Sequence, residues 1–225
     1  MTAMIPVDMD LDAVFSIEEL QTLESIKNGE IPTSFPSTIT PIDCIDSIKE
    51  VGIEQHFKNQ FRAFSFKDTC QGHGQYGYIS KTGAKWLTDR FPKHTWLDPL
   101  AGRGWFKKAL EEQGAKVYAA DIAVWDNPVS DVVSMDGKKF VHKYRDLSDI
   151  LILSWVEKDN IVDYECAMAW GSHKPILLYG EPGMCCNSSE FVDRFIVDEV
   201  IGDFFPDLSC KPTKRTSMYL GHLKA

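Results

Sequence analysis

Two acids and one glycine turn carry the chemistry that the sequence offers first. Asp98 closes the apolar pair Trp96-Leu97, and Gly102-Arg103-Gly104 follows after three intervening residues. Phe106–Gly114 has helical patterning, and a second short strand, Lys116–Ala120, delivers Asp121. Strand, glycine turn, helix, strand and acid make the first half of a nucleotide-binding βαβ unit. The glycines let the backbone approach a ligand with no Cβ in the way, and Asp121 arrives within reach of a ribose diol. A dinucleotide fingerprint places a third glycine three residues after the second, where this chain has Lys107. Asp98 would repel a pyrophosphate and welcome an ammonium. A dinucleotide-binding domain is therefore the second reading, and a ligand with a cationic amino-acid end and a ribose the first.

Further carboxylates stand at the ends of later strands. Asp131–Met135 reads as a third strand ending at Asp136-Gly137. Asp149–Glu157 contains a continuous apolar run, the mark of a buried parallel strand, and ends in Ser154-Trp155-Val156-Glu157. Pro175–Tyr179 is a fifth strand, followed by Gly180-Glu181-Pro182-Gly183-Met184-Cys185-Cys186. In open α/β sheets ligands bind outside the carboxyl ends of the strands. Glu157 and Glu181 are thus the two carboxylates placed to take a proton from an acceptor, and Trp155 is placed as a wall for a planar group.

In these residues the chain resembles the class I, Rossmann-like S-adenosylmethionine-dependent methyltransferases, whose first motif runs (D/E)-x-x-x-G-x-G. Asp98, Gly102 and Gly104 match that motif, and Asp121 matches the family's ribose-binding acid. The resemblance implies S-adenosylmethionine as cofactor, held by these four residues with Leu100, Ala101, Ile122, Asp136 and Ser154. Leu153-Ser154-Trp155 is similar to the fourth strand of a group of poorly characterised methyltransferase-like proteins that continue with Pro-Pro. Here Val156 and Glu157 replace the prolines. Members that methylate the amino group of a base or a protein usually carry (N/D/S)-P-P-(Y/F/W) at this place, so the departure argues against a base as acceptor. The similarity covers roughly residues 76–190.

The elements that must position these groups follow from patterning. The resemblance implies an α/β fold, a seven-stranded and mostly parallel sheet with flanking helices and a terminal antiparallel hairpin. The hairpin is expected from Ser209–Pro212 and Ser217–Leu223, with Ser188–Val200 as a helix before it. Residues 76–225 form the expected cofactor-binding domain. Residues 1–75 form a mainly helical appendage, with an acidic arm over 1–15, a helix opened by the capping box of Ser16 and Glu19, and helical patterning at Pro41–Val51 and Ile53–Phe61. It is expected to pack as a cap on one side of the core, with substrate recognition or oligomerisation as the alternative role. The Gly-rich, aromatic Cys70–Tyr78 reads as a loop. In the resembled family such a segment folds over cofactor or acceptor, and His73 is the histidine it would bring.

Composition bounds the rest. The chain has 225 residues, 44% of them hydrophobic, and a net charge of -9. Residues 1–75 hold 12 acids against 5 Lys and Arg. That balance disfavours nucleic acid as a partner, since phosphate neutralisation supplies most of such affinity. The apolar runs are strand-length, no membrane span is expected, and the first residues lack a basic leader. Six cysteines without a CxxC pair or zinc-like spacing point to a cytoplasmic protein with no metal. The function expected is methyl transfer to an unknown acceptor, a small molecule or a protein side chain. The alternatives are a non-catalytic cofactor-binding scaffold acting through a partner or self-association at residues 1–75, and an enzyme that consumes S-adenosylmethionine without an acceptor.

Overall fold

The computed structural model describes residues 15–36, 52–123, 125–202 and 217–224. Seven strands form a single sheet in the order β3-β2-β1-β4-β5-β7-β6. They are β1 Thr95–Asp98, β2 Lys116–Asp121, β3 Val133–Ser134, β4 Ile150–Ser154, β5 Ile176–Gly180, β6 Phe195–Ile201 and β7 Ser217–Leu223. The first five run parallel, whereas β7 pairs antiparallel with both β5 and β6. This is the expected α/β arrangement, a seven-stranded and mostly parallel sheet closed by an antiparallel hairpin. The parallel order reverses at β1 and β4, whose carboxyl ends bound the crevice where such sheets bind ligands.

The core strands are apolar on both faces because both faces are covered. Every residue of β5, and all but Ser154 in β4, is buried. Period-two alternation divides these side chains between two cores. Ile150, Ile152, Leu177 and Tyr179 pack on one side, and Leu151, Leu153, Ile176 and Leu178 on the other. The parallel register agrees, setting Ile152 beside Leu177 and Leu153 beside Leu178.

The first face is covered by α1 (Ile17–Lys27), α2 (Ile53–Gly72), α3 (Lys81–Arg90) and α4 (Trp105–Glu111). Phe66 and Cys70 of α2 and Leu23 and Ile26 of α1 share one apolar cluster with Trp96 and Ile152 of the sheet. The helices N-terminal to residue 75 are thus a layer of the main core. Their attachment is specific: Ser16 accepts from the Glu19 N–H at 3.3 Å and donates its own N–H to the Glu19 carboxylate at 2.7 Å. That carboxylate, fully buried, also pairs with Arg62 of α2 at 2.9 Å. The second face is covered by α5 (Gly137–Tyr144), α6 (Val162–Trp170) and the short α7 (Ser189–Val192).

Three expected boundaries move. The helix at Ile53–Phe61 continues to Gly72, so Cys70 is a buried helical residue and the loop begins at His73. The helix begun at Ser188 stops after Val192, and Phe195–Ile201 is a strand. Its β-branched Ile196, Val197, Val200 and Ile201 suit a pleated surface better than a helix. The closing hairpin is therefore β6 with β7, while Ser209–Pro212, like Pro41–Val51 and residues 1–14 of the expected arm, lies outside the described residues. Among the described residues no helix is long and apolar enough to cross a membrane.

Candidate functional site

A cleft of ≈ 790 Å³ runs along the carboxyl edge of the sheet. One end is built at the tips of β1, β2 and β3 by Asp98, Leu100, Ala101, Gly102, Asp121, Ile122, Asp136 and Gly137. The other lies beyond β4 and β5, at Ser154, Trp155, Val156, Glu157, Asn160 and Cys185. Gln71, Gly74, Tyr76 and Gly77, from the end of α2 and the loop after it, also line it. Its volume is within the range of pockets that enclose a cofactor-sized molecule.

The glycine turn is pinned from beneath by Asp121. One carboxylate oxygen accepts the Gly102 N–H at 2.8 Å, and the other accepts the Ala123 N–H at 2.8 Å. A carboxylate has about four acceptor positions, so Asp121 keeps capacity for two further donors after shaping the turn. The two glycines differ in use. Gly102 has φ +55, and a Cβ there would meet no protein atom within 4 Å, so open cleft lies over the turn. Gly104 has φ +88 and does not line the cleft; its Cβ would fall 2.7 Å from Ser130 Oγ and 2.8 Å from Val132 Cγ2. It permits close approach of the chain before β3.

Asp98 is 2% exposed, lines the cleft, and leaves its Oδ1 without a hydrogen-bond partner. Burial first, and then the Asp121 carboxylate, push its carboxyl up to about 8, against the Leu100 backbone hydrogen bond, which lowers it. A buried acid with an orphaned oxygen is costly to the empty protein, and a cation or hydrogen-bond donor from a ligand relieves that cost. Asp136 serves two ends: it lines the cleft and caps α5 by accepting the Lys139 N–H at 3.0 Å. Ile122 is 71% exposed at the rim.

Beyond β4, Trp155 has φ +50, a conformation that a bulky residue adopts only when its surroundings hold it there. Its N–H donates to the Tyr179 carbonyl at 2.8 Å, and the Asn187 N–H donates to the Val156 carbonyl at 2.9 Å, tying the two strand ends together. Glu157 is exposed and lines the cleft. Glu181 is 4% exposed and is not among the described residues of its wall. Its main chain organises the turn instead: the N–H donates to Cys186 Sγ at 2.9 Å, and the carbonyl accepts from Met184 at 3.0 Å. Of the two carboxylates expected near an acceptor, Glu157 alone reaches the cleft.

Several wall residues escaped the sequence reading. Gly77 is one: a Cβ there would sit 2.2 Å from Ser154 Oγ and 2.8 Å from Phe106 Cε2, so only glycine lets this loop lie on the tip of β4. Arg103 is another, holding the cleft's walls together without lining it. It donates from Nη1 to the His73 carbonyl and from Nε to the Asn127 carbonyl, both at 2.7 Å. His73 acts through that carbonyl, which also accepts from Trp105 Nε1 at 3.0 Å, and its ring is not in the cleft wall. The half-exposed Tyr76 and Trp125 follow as rim residues. The glycine and aromatic content of 70–78 was the signal for this wall; nothing local marked Arg103 or Gln71. Among the described residues there is no group of His, Cys, Asp and Glu able to hold a metal ion.

No family model matches the chain. It is 28% identical over 160 residues to sulfate adenylyltransferase subunit 1 of Aliivibrio salmonicida (strain LFI1238), a match covering 63% of this chain and 32% of that protein. The chain thus spans about a third of the length of that curated relative. Solved structures similar to it include magnesium protoporphyrin IX methyltransferase from Synechocystis PCC 6803 with bound S-adenosylmethionine, at 14% identity and TM-score 0.42, covering 80% of this chain and 94% of that one. An O-methyltransferase of neocarzinostatin biosynthesis, solved with S-adenosylhomocysteine and 1,4-dihydroxy-2-naphthoic acid, is 13% identical with TM-score 0.41, covering 92% and 69%. A putative methylase of Haemophilus influenzae is 10% identical with TM-score 0.35, covering 64% and 88%. What the cleft can hold is decided by its own residues.

Proposed function

We propose that the chain is an S-adenosylmethionine-dependent methyltransferase. The observation that supports this most is the acid pair across the glycine turn. Asp98 offers a buried, unpartnered oxygen, Asp121 offers remaining acceptor positions, and both face a cleft opened by Gly102. A cationic amino-acid group suits the first and a ribose diol the second. A dinucleotide fits less well, because its pyrophosphate would meet Asp98 at the turn. Lys107, where the third glycine of a dinucleotide fingerprint would stand, is 6% exposed and bonded to Glu111 and to the Val117 carbonyl.

The bound cofactor supplies an electrophilic methyl group. The protein's part is to hold an acceptor in line and to receive its proton, which asks for positioning more than for covalent help. Trp155, set in a fixed backbone conformation, and Val156 form the wall on the acceptor side, and Glu157 is the base. The acceptor is a small molecule or a protein side chain. Incubating the protein with methyl-labelled S-adenosylmethionine, with and without cell extract, tests the reading by mass of the products. Label moving to an extract component is the expected result. Intact cofactor in every mixture would instead favour a scaffold, and breakdown without extract an enzyme that needs no acceptor.

A further inference from the structure

Resting on the methyltransferase reading, we propose that the acceptor is an aliphatic amine, carried by a small molecule or a lysine side chain, and recognised as a cation beside Glu157. The charges in the cleft carry this. The described residues of its wall include four carboxylates, Asp98, Asp121, Asp136 and Glu157, and no Lys, Arg or His. Two of these, Asp98 and Asp121, sit on β1 and β2. Glu157 stands past the tip of β4, with β1 between β4 and β2. The tip of β4 is one strand spacing of about 4.8 Å from the tip of β1 and two, roughly 10 Å, from the tip of β2, so Glu157 and Asp121 address different parts of the contents. An acidic cluster is a weak sign alone. Here the Asp98 oxygen, buried, unpartnered and in the wall, shows independently that the cleft is built around a ligand.

Aromatic faces supply the second requirement. Trp155, Tyr76 and Trp125 line the same cleft, the last two being 44% and 40% exposed. Aromatic faces attract ammonium groups, and Tyr76 and Trp125 present theirs at the rim. A phosphorylated or carboxylated acceptor would have to enter past the carboxylates of Asp121, Asp136 and Glu157, which destabilises it. An ammonium gains from them.

The chemistry balances with these groups alone. The ammonium gives one proton to the Glu157 carboxylate and through it to solvent. The lone pair so freed forms the new N–C bond while the old carbon–sulfur bond breaks, its electrons remaining on sulfur as a neutral thioether. The product is a methylammonium, still a cation in an acidic cleft.

The test follows the label transferred in cell extract. After quenching, the products are split by ultrafiltration into small-molecule and polypeptide fractions, and each is run on cation and anion exchangers before and after mild alkali. The proposal expects base-stable label: in the small fraction on the cation exchanger, or in the polypeptide fraction as methyl-lysine after acid hydrolysis. Label on the anion exchanger, on nucleic acid, or released by alkali as methanol overturns it while leaving the methyltransferase reading intact. Cofactor binding by calorimetry with no transfer defeats that reading and the proposal with it. Glu157→Gln is the paired variant. Its affinity for S-adenosylmethionine stays within about twofold, and transfer falls by about tenfold or more, the weight of one charged hydrogen bond. Equal transfer by the two proteins at pH 7 counts against the assignment.

Discussion

Asp98 is a cleft residue whose chemistry departs far from its usual behaviour. In the folded protein it stays protonated up to about pH 8, whereas in the unfolded chain it ionises near 4. Between those values the folded state holds more protons, so this group's contribution to stability falls as pH rises from about 4 to about 8. A cationic ligand beside the carboxylate reverses the preference and draws the proton off. Affinity for S-adenosylmethionine should therefore rise between pH 6 and pH 8 and then level, with a proton released on binding. Calorimetry in two buffers of different ionisation enthalpy would count that proton. Asp98→Asn should abolish both the proton release and the pH dependence, while raising thermal stability at pH 8 more than at pH 5. A parallel pH profile in the variant would mean that another group titrates.

The residues of the turn were legible in the sequence because each does something local. Asp98, Gly102 and Asp121 follow from strand ends and a glycine turn, whatever the remainder of the chain does. Glu181 was misplaced for the opposite reason. Its position after a strand was readable, but the turn that buries it depends on Cys186 Sγ and on three backbone N–H groups folding back to its carbonyl. Arg103 looked like the variable residue of a Gly-x-Gly turn; its carbonyl partners come from 30 and 24 residues away.

At the scale of elements, β1, β2, β4 and β5 lie close to where apolar runs and alternation put them, since a strand buried on both faces has no other reading. The boundary elements moved where tertiary contacts decide. Phe195–Ile201 completes a hairpin with a strand that begins 16 residues after it ends. The loop from His73 to Ser80 is pinned at two places. It is held at its start by Arg103 and at Gly77 by the tips of β4 and β5. Gly77→Ala tests that constraint. The rings of Phe106 and Tyr179 leave the new methyl no room, at 2.8 and 3.0 Å, so overpacking of about 1–3 kcal/mol is expected. Denaturant unfolding would show it as a lower midpoint at unchanged slope. The displaced loop should also weaken S-adenosylmethionine binding. Full affinity in a destabilised variant would show that this wall does not touch the cofactor.

The whole molecule is a three-layer sandwich whose first helical layer comes largely from residues that read as an appendage. Acidity and proline punctuation set 1–75 apart in sequence, yet Phe66, Cys70, Leu23 and Ile26 complete the core over β1 and β4. Composition describes the solvent face of a layer and is silent about its inner face, so a cap on the core was legible while the residues that pack it were not. One consequence is that the cleft's walls come from both parts of the chain, Gln71 and Gly74 lining it together with Asp98 and Ser154. Calorimetric titration of the whole chain with S-adenosylmethionine and, separately, with NAD tests the central claim most directly. The account predicts saturable heat with S-adenosylmethionine alone, weakened by about 1–3 kcal/mol in Asp121→Ala through loss of hydrogen bonds to a charged acceptor. Heat with NAD alone, or an Asp121→Ala protein that binds S-adenosylmethionine as tightly as the unaltered chain, would contradict it.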